Sequence, residues 1–243
     1  MLFLSGGAFF GVRRFTMQKR HRLVSHLDKV ASSGYRISMP DLAIIIGETS
    51  WTRMSEGIEK VKARLRRATA LLEAAGLPYA VIGGNAVAAW VSRVDDSVVR
   101  NTRDVDLLVR RSDMEAIVRV MGGGGFIHRS VSILGGKGRI EMFLDGPGAK
   151  ARDGVHLIFS GEKVNPESLE PSPDVAEIDA SHSDFRLIDL AALLTMKLTS
   201  YRDKDRVHLR DMMEIGMLDE SWLPRIPVSL RDRLQALLDD PEG

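Results

Sequence analysis

Val81-Ile82-Gly83-Gly84-Asn85-Ala86-Val87-Ala88, followed twenty residues after Gly84 by Asp104-Val105-Asp106, decides how this chain is read. The first stretch joins a short apolar run, expected as a buried strand over 79–82, to a glycine pair and then to a segment of helical character over 85–91. Paired glycines permit a tight strand-to-helix turn and let backbone N–H groups approach an anion with no Cβ in the way. The same pair serves equally as a plain turn. In the second stretch, the strand period of two places Asp104 and Asp106 on one side. Two carboxylates side by side repel each other unless something positive lies between them, and a divalent cation is the simplest such partner. A solvated strand edge is the alternative for that pair taken alone.

Working outward, Ser55 is expected to cap a helix in which Ile58, Val61, Leu65, Ala68, Leu71, Leu72 and Ala75 recur at helical spacing. Arg64, Arg66 and Arg67 decorate it as a solvated face, and Gly76 and Pro78 end it. After the aspartates, Ser112 is expected to cap a helix that runs to Met121. Gly122-Gly123-Gly124-Gly125 then reads as a flexible connector, because a P-loop would follow a strand and continue into Lys-Ser/Thr. Strands are expected over 126–133, 139–143 and 155–159, the first two joined by a turn at Gly135-Gly136-Lys137-Gly138. Residues 161–184, rich in proline, serine and acids, read as a surface connection. From 185 onward the pattern is helical: Leu187, Leu190, Leu193, Leu194, Leu198 and Tyr201 form an apolar stripe, and a last amphipathic segment covers 229–238. The expected class is α/β (α+β), a mixed sheet of about five strands with helices mainly on one face. The expected domains are an α/β domain over 54–184 and a C-terminal helical subdomain over 185–243.

Strand, Gly-Gly, helix, connection and Asp-x-Asp on the next strand, in that order, resemble the signature of the DNA polymerase β-like nucleotidyltransferase superfamily. Lys197 followed by Arg202-Asp203-Lys204-Asp205 and Asp211 resembles the C-terminal helical pattern of AbiEii-type and related bacterial nucleotidyltransferases. The resemblance covers roughly residues 55–216. It implies transfer of a nucleoside monophosphate from a nucleoside triphosphate to an acceptor (RNA, a protein or a small molecule). It further implies Mg²⁺ or Mn²⁺ on Asp104 and Asp106, the triphosphate on backbone amides at Gly83, Gly84 and Asn85, and Lys197 reaching the phosphates. Lys204, Asp205 and Asp211 are expected chiefly to orient the helices, and Arg103 either contacts phosphate or balances charge. Active relatives of this type usually place a third carboxylate on a later strand. The matching strand here is 155–159, whose polar residue is His156. His156 is therefore the candidate catalytic base, with Glu141 and Asp145 as alternative candidates for the missing acid. A second reading follows from that departure: a nucleotidyltransferase-like protein that binds a nucleotide or a partner without turnover, as in a toxin–antitoxin or phage-defence pair.

Composition narrows the rest. A formal net charge of +1 gives no global electrostatic case for nucleic acid or membrane. The absence of cysteine excludes disulfides, thiolate metal sites and cysteine nucleophiles, and suits a cytoplasmic setting. No apolar run approaches the roughly 18–20 residues that span a bilayer. The apolar opening precedes its basic residues Arg13 and Arg14, the reverse of a secretory signal. Residues 1–53 read as a loosely defined extension with a basic cluster over 18–22 and a short amphipathic helix over 23–30; an RNA-contacting arm is the functional alternative. Met54, just before the expected helix start, offers a second point at which the natural product would begin.

Overall fold

Seven strands form one mixed sheet with helices against both faces. The computed structural model describes residues 39–132, 139–182 and 184–243. The expectations for 18–22, 23–30 and the turn at 135–138 lie outside those residues. The chain divides into two units, Met1–Arg53 and Met54–Gly243, and the second carries the sheet.

Helix α1 (Met39–Ala74) is followed by β1 (Tyr79–Ile82), α2 (Gly83–Val91), β2 (Val105–Val109), α3 (Met114–Gly123), β3 (Ile127–Ser132), β4 (Arg139–Leu144) and β5 (Val155–Phe159). Two short strands, β6 (Ile178–Asp179) and β7 (Leu187–Ile188), lead into α4 (Leu190–Ser200), α5 (Asp203–Glu214) and α6 (Arg231–Asp239). The strand order is β3-β4-β5-β2-β1-β7-β6. Strand β2 lies between β1, antiparallel to it, and β5, parallel to it. This placement makes β2 central, and all of it except Asp106 is buried.

Alternation along the strands separates two cores. Tyr79, Val81, Val105, Leu107, Val109, Leu157 and Phe159 point to one face, under Leu65, Ala68 and Leu72 of α1 and Ile117 and Met121 of α3. Ala80, Ile82, Leu108, Leu187 and Ile188 join the other core, with Ala86 and Val87 of α2 and the leucines of α4, α5 and α6. Each fully buried large apolar side chain contributes roughly 1.5–3 kcal/mol, so both cores stabilise the central strands that carry Asp106 and His156. Helices thus cover both faces, in place of the one-sided packing expected. The last helices pack on the sheet, sharing a core with β1, β7 and α2.

Several local expectations change. Ser55 lies inside α1 and does not begin it, because no proline interrupts 41–55 and the helix runs on through Gly47. Arg64 is 8% exposed, not part of a solvated face. Ser112 belongs to a 3₁₀ turn, Arg111–Asp113, that precedes α3. Leu187 leaves the helical stripe to pair beside Val81 in the sheet, and residues thought to be only a surface connection supply β6. Gly124 is a packing position: a Cβ there would sit 2.2 Å from Leu71 Cδ1. Among the described residues, no helix is long and apolar enough to cross a membrane.

Candidate active site

The site lies where three strands and one helix begin or end together. In register, Asp106 of β2 stands opposite Ile82 at the end of β1 and beside His156 of β5. Cross-strand partners share a face, so Asp106 and His156 project to the same side. Asp104 precedes β2 by one residue and turns toward the same point. One ligand atom from each of Asp104, Asp106 and His156 can be chosen so that all lie within 4.8 Å of one another.

The turn into α2 is built against these carboxylates. Gly83 has φ +67°, and a Cβ on it would come 2.0 Å from Asp106 Oδ2. A Cβ on Gly84 would come 2.8 Å from Thr102 Cβ. Both glycines are therefore dictated first by close approach of the aspartate strand, a requirement additional to any anion. The start of α2 has no side-chain cap, so its first backbone N–H groups and the positive end of the helix dipole stand open beside Asp106. Asn85 does not reach outward: its Nδ2 donates to the Asp104 carbonyl at 2.8 Å and ties α2 to the strand.

Asp104 is held from two sides. Thr102 Oγ1 donates to its Oδ1 at 2.6 Å, and Arg64 Nη1 donates to the neighbouring Arg103 carbonyl at 3.0 Å. Burial pushes the Asp104 carboxyl up, but the Thr102 hydroxyl and the charges of Lys204 and His156 outweigh it, leaving the group below its ordinary pKa. Thr102 was not singled out in the sequence, although its spacing two residues before an aspartate is that of a local side-chain bond. Arg103 is exposed, and its role here is carried by its carbonyl.

His156 is pinned by the 3₁₀ turn before its strand. Its Nε2 lies 2.9 Å from the Ala151 carbonyl. Its Nδ1 faces Asp106 Oδ1 at 3.6 Å and Asp104 Oδ2 at 3.9 Å, ion-pair separations longer than a hydrogen bond. Asp106 raises the imidazole pKa above its ordinary value, against burial. The other candidates for a third acid are elsewhere. Glu141 pairs in register with Leu157, hence on the opposite face, and accepts from Ser130 Oγ at 2.6 Å with His128 Nε2 at 2.7 Å. Asp145 is paired with Arg64 and Arg67 of α1.

Lys197 comes from α4, which packs on the same face of the sheet, and is only 5% exposed. Its Nζ donates to Asp205 Oδ1 at 3.0 Å and to His208 Nδ1 at 3.2 Å. Burial lowers its pKa, opposed chiefly by Asp205, with a smaller contribution from Asp106. Asp205 is fully buried and also accepts from Arg202 Nε at 2.7 Å. Arg202 and Lys197 hold its carboxyl far below the usual range although burial opposes them. Asp211 pairs with Arg100, whose Nη2 donates at 2.9 Å, and so fastens α5 to the segment that leads into β2. Lys204 is exposed on the first turn of α5, with its charge felt at Asp104.

No protein-family description matches the chain, and no curated protein does. Among solved structures it is similar to the antibiotic-resistance factor ANT(2'')-Ia in solution, at 18% identity and TM-score 0.44, over 74% of this chain and 96% of that one. It is also similar to an antigenic nucleotidyltransferase-like protein from Paracoccidioides brasiliensis, at 17% identity and TM-score 0.45, over 76% and 90%. A third, the Megavirus polyadenylate synthase, aligns at 7% identity and TM-score 0.40, over 89% of this chain and 41% of that one. Likeness this distant establishes neither family nor activity.

Proposed function

We propose that the chain is a metal-dependent nucleotidyltransferase of the DNA polymerase β-like type, moving a nucleoside monophosphate from a nucleoside triphosphate to an acceptor. The observation that carries this reading is the convergence of two carboxylates and an imidazole beside an uncapped helix N-terminus. A triphosphate needs both: N–H donors for its oxygens and a cation to offset its charge. The donor set fits a divalent cation, since Asp104 and Asp106 are two like charges with no lysine or arginine ion-paired to either among the described residues. A bound Mg²⁺ or Mn²⁺ would supply charge neutralisation at the phosphates.

The chain's own groups have distinct tasks in this reading. Amides of Gly83 and Gly84 donate to the phosphate oxygens from a turn that no Cβ obstructs. Thr102 and the Asn85 bond to the Asp104 carbonyl hold the first carboxylate in place. Lys197, engaged by Asp205 and His208, acts on the site through its charge and not by direct contact, whereas exposed Lys204 is free to approach a phosphate. The acceptor hydroxyl oxygen attacks the α-phosphorus, the α–β bridging P–O bond breaks, pyrophosphate leaves and the hydroxyl proton passes to solvent.

The test offers each of the four nucleoside triphosphates with Mg²⁺ or Mn²⁺ against total RNA, total protein and a panel of small molecules. Pyrophosphate release and acceptor labelling are expected, and both should vanish in Asp104→Ala with Asp106→Ala while circular dichroism is unchanged. Labelling that survives in that double variant removes the proposal.

A further inference from the structure

The position where a third carboxylate was expected carries His156, and the structure gives that ring a defined tautomer. A carbonyl oxygen only accepts, so the Nε2 lying 2.9 Å from the Ala151 carbonyl is the one that bears hydrogen. In the neutral ring the Nδ1 lone pair is then aimed at two carboxylates, 3.6 and 3.9 Å away. Three negative or electron-rich atoms facing one another cohere only around something positive. Ligating histidines show the same arrangement, in which one ring nitrogen binds the ion while the other N–H is held by a backbone carbonyl. The turn at 151–153 presents the Ala151 carbonyl to the ring, and the register of β5 against β2 sets His156 beside Asp106. No other carboxylate competes for the position among the described residues, because Glu141 faces the opposite side and Asp145 is bound to two arginines.

We infer that His156 Nδ1 is a metal ligand, completing a two-aspartate, one-histidine site that selects a first-row transition-metal ion over Mg²⁺. Magnesium is a hard cation that takes oxygen ligands and gives up water reluctantly, whereas imidazole suits the first-row ions. The residue read as a proton acceptor in the sequence thereby becomes a determinant of which cation is held. The inference rests on the cation-binding part of the proposed function and not on transfer.

Mn²⁺ is the conservative probe, being the weakest binder of the first-row series. The full chain is titrated with Mn²⁺ without nucleotide, following loss of the free-ion electron paramagnetic resonance signal, with Mg²⁺ as competitor. One Mn²⁺ per chain is expected, with a nitrogen coupling in the pulsed spectrum that disappears in His156→Asp. In that variant the preference for Mn²⁺ over Mg²⁺ should fall by at least about tenfold, as an oxygen replaces the nitrogen. Bound Mn²⁺ with no nitrogen coupling in the unaltered protein overturns the inference and leaves a carboxylate cation site standing. Coupling that persists in His156→Asp also overturns it, by locating the nitrogen on another histidine. Failure of both cations to bind removes the inference together with the cation part of the proposed function.

Discussion

Two charged clusters lie on the same side of the sheet, and their difference separates chemistry from scaffold. In one, Asp104, Asp106 and His156 each keep roughly a quarter of the side chain exposed, and their facing atoms are spaced beyond hydrogen-bond reach. In the other, Lys197 and Asp205 have side chains 6% and 1% exposed, and Lys197, Asp205, His208 and Arg202 are joined by hydrogen bonds. In the closed cluster each charged group has a hydrogen-bonded partner within it. The open cluster has a negative excess that only an added cation or proton relieves. A buried, satisfied ion pair is a structural element whose breaking is expensive, while an exposed, mismatched one is where a ligand belongs.

The largest contrast comes from removing one carboxylate from each cluster. Asp205→Ala strands the Lys197 ammonium in a buried position and deletes the cap contact to the Arg202 backbone, and it should destabilise by about 3–5 kcal/mol. Asp106→Asn relieves a like-charge contact at a partly exposed position, and its unfolding free energy should stay within about 0.5 kcal/mol of the unaltered protein. Urea unfolding measures both. Equal losses in the two variants would erase the distinction between the clusters.

Next in size is the turn that packs on the open cluster. Gly83→Ala places a Cβ at φ +67° and within 2.0 Å of Asp106 Oδ2, so it should cost about 1–3 kcal/mol and move the carboxylate. Gly122→Ala is its control: a Cβ there meets nothing within 4 Å, φ is not positive, and the residue is helical. That substitution should be neutral or stabilise by about 0.5–1 kcal/mol. Thermal unfolding distinguishes them, and transfer activity should fall only in the first.

The same physics explains what was legible in the sequence. Strands β1, β2 and β5 are short, apolar and bounded by turn residues, and the Gly-Gly and Asp-x-Asp spacing stands out because few other patterns place those types at strand ends. Strands β6 and β7 are two residues long, too short for any periodicity to reveal, and they form only because β1 offers an edge. Arg64 and Lys197 look like solvated or substrate-reaching cations in a one-dimensional pattern. Their burial depends on partners far along the chain for Arg64, at the Arg103 carbonyl and Asp145, and on helix packing for Lys197. In sequence the glycine pair reads as an anion-binding turn or a plain one, whereas the contacts of a hypothetical Cβ with Asp106 and Thr102 become visible only once β2 is laid beside β1. Glu141 was set among the third-acid candidates because sequence proximity cannot say which face a strand residue occupies until register is known.

Acid offers a further separation. Burial and the Lys197 charge push the His208 imidazole down to about 4 from its ordinary 6.5. The unfolded chain therefore takes up a proton at this residue below about 6.5, while the folded chain resists until about 4. Stability from this residue is present above that window and is lost as the pH falls through it. Asp205, also depressed, adds a loss at still lower pH. The melting temperature should drop between pH 6.5 and pH 4, and His208→Gln should make that drop shallower. An identical slope in the variant would mean that His208 is not held neutral by the closed cluster.

Lys204 gives the smallest effect and the finest test, because it stands between the clusters. It is adjacent in sequence to buried Asp205, on the first turn of α5, yet it is exposed and its charge lowers the Asp104 pKa. If it belongs to the open cluster, Lys204→Ala leaves unfolding free energy within about 0.5 kcal/mol, as surface substitutions do. Transfer should then fall several-fold through loss of a cation near the phosphates, with Lys204→Arg retaining more of it, since both side chains are long cations. If it belongs to the closed cluster, the alanine variant loses stability and the arginine variant, with its bulkier planar head, does not restore it. Urea unfolding and transfer rates on the same three proteins decide between the two, and a stability loss above about 1 kcal/mol would assign Lys204 to the scaffold.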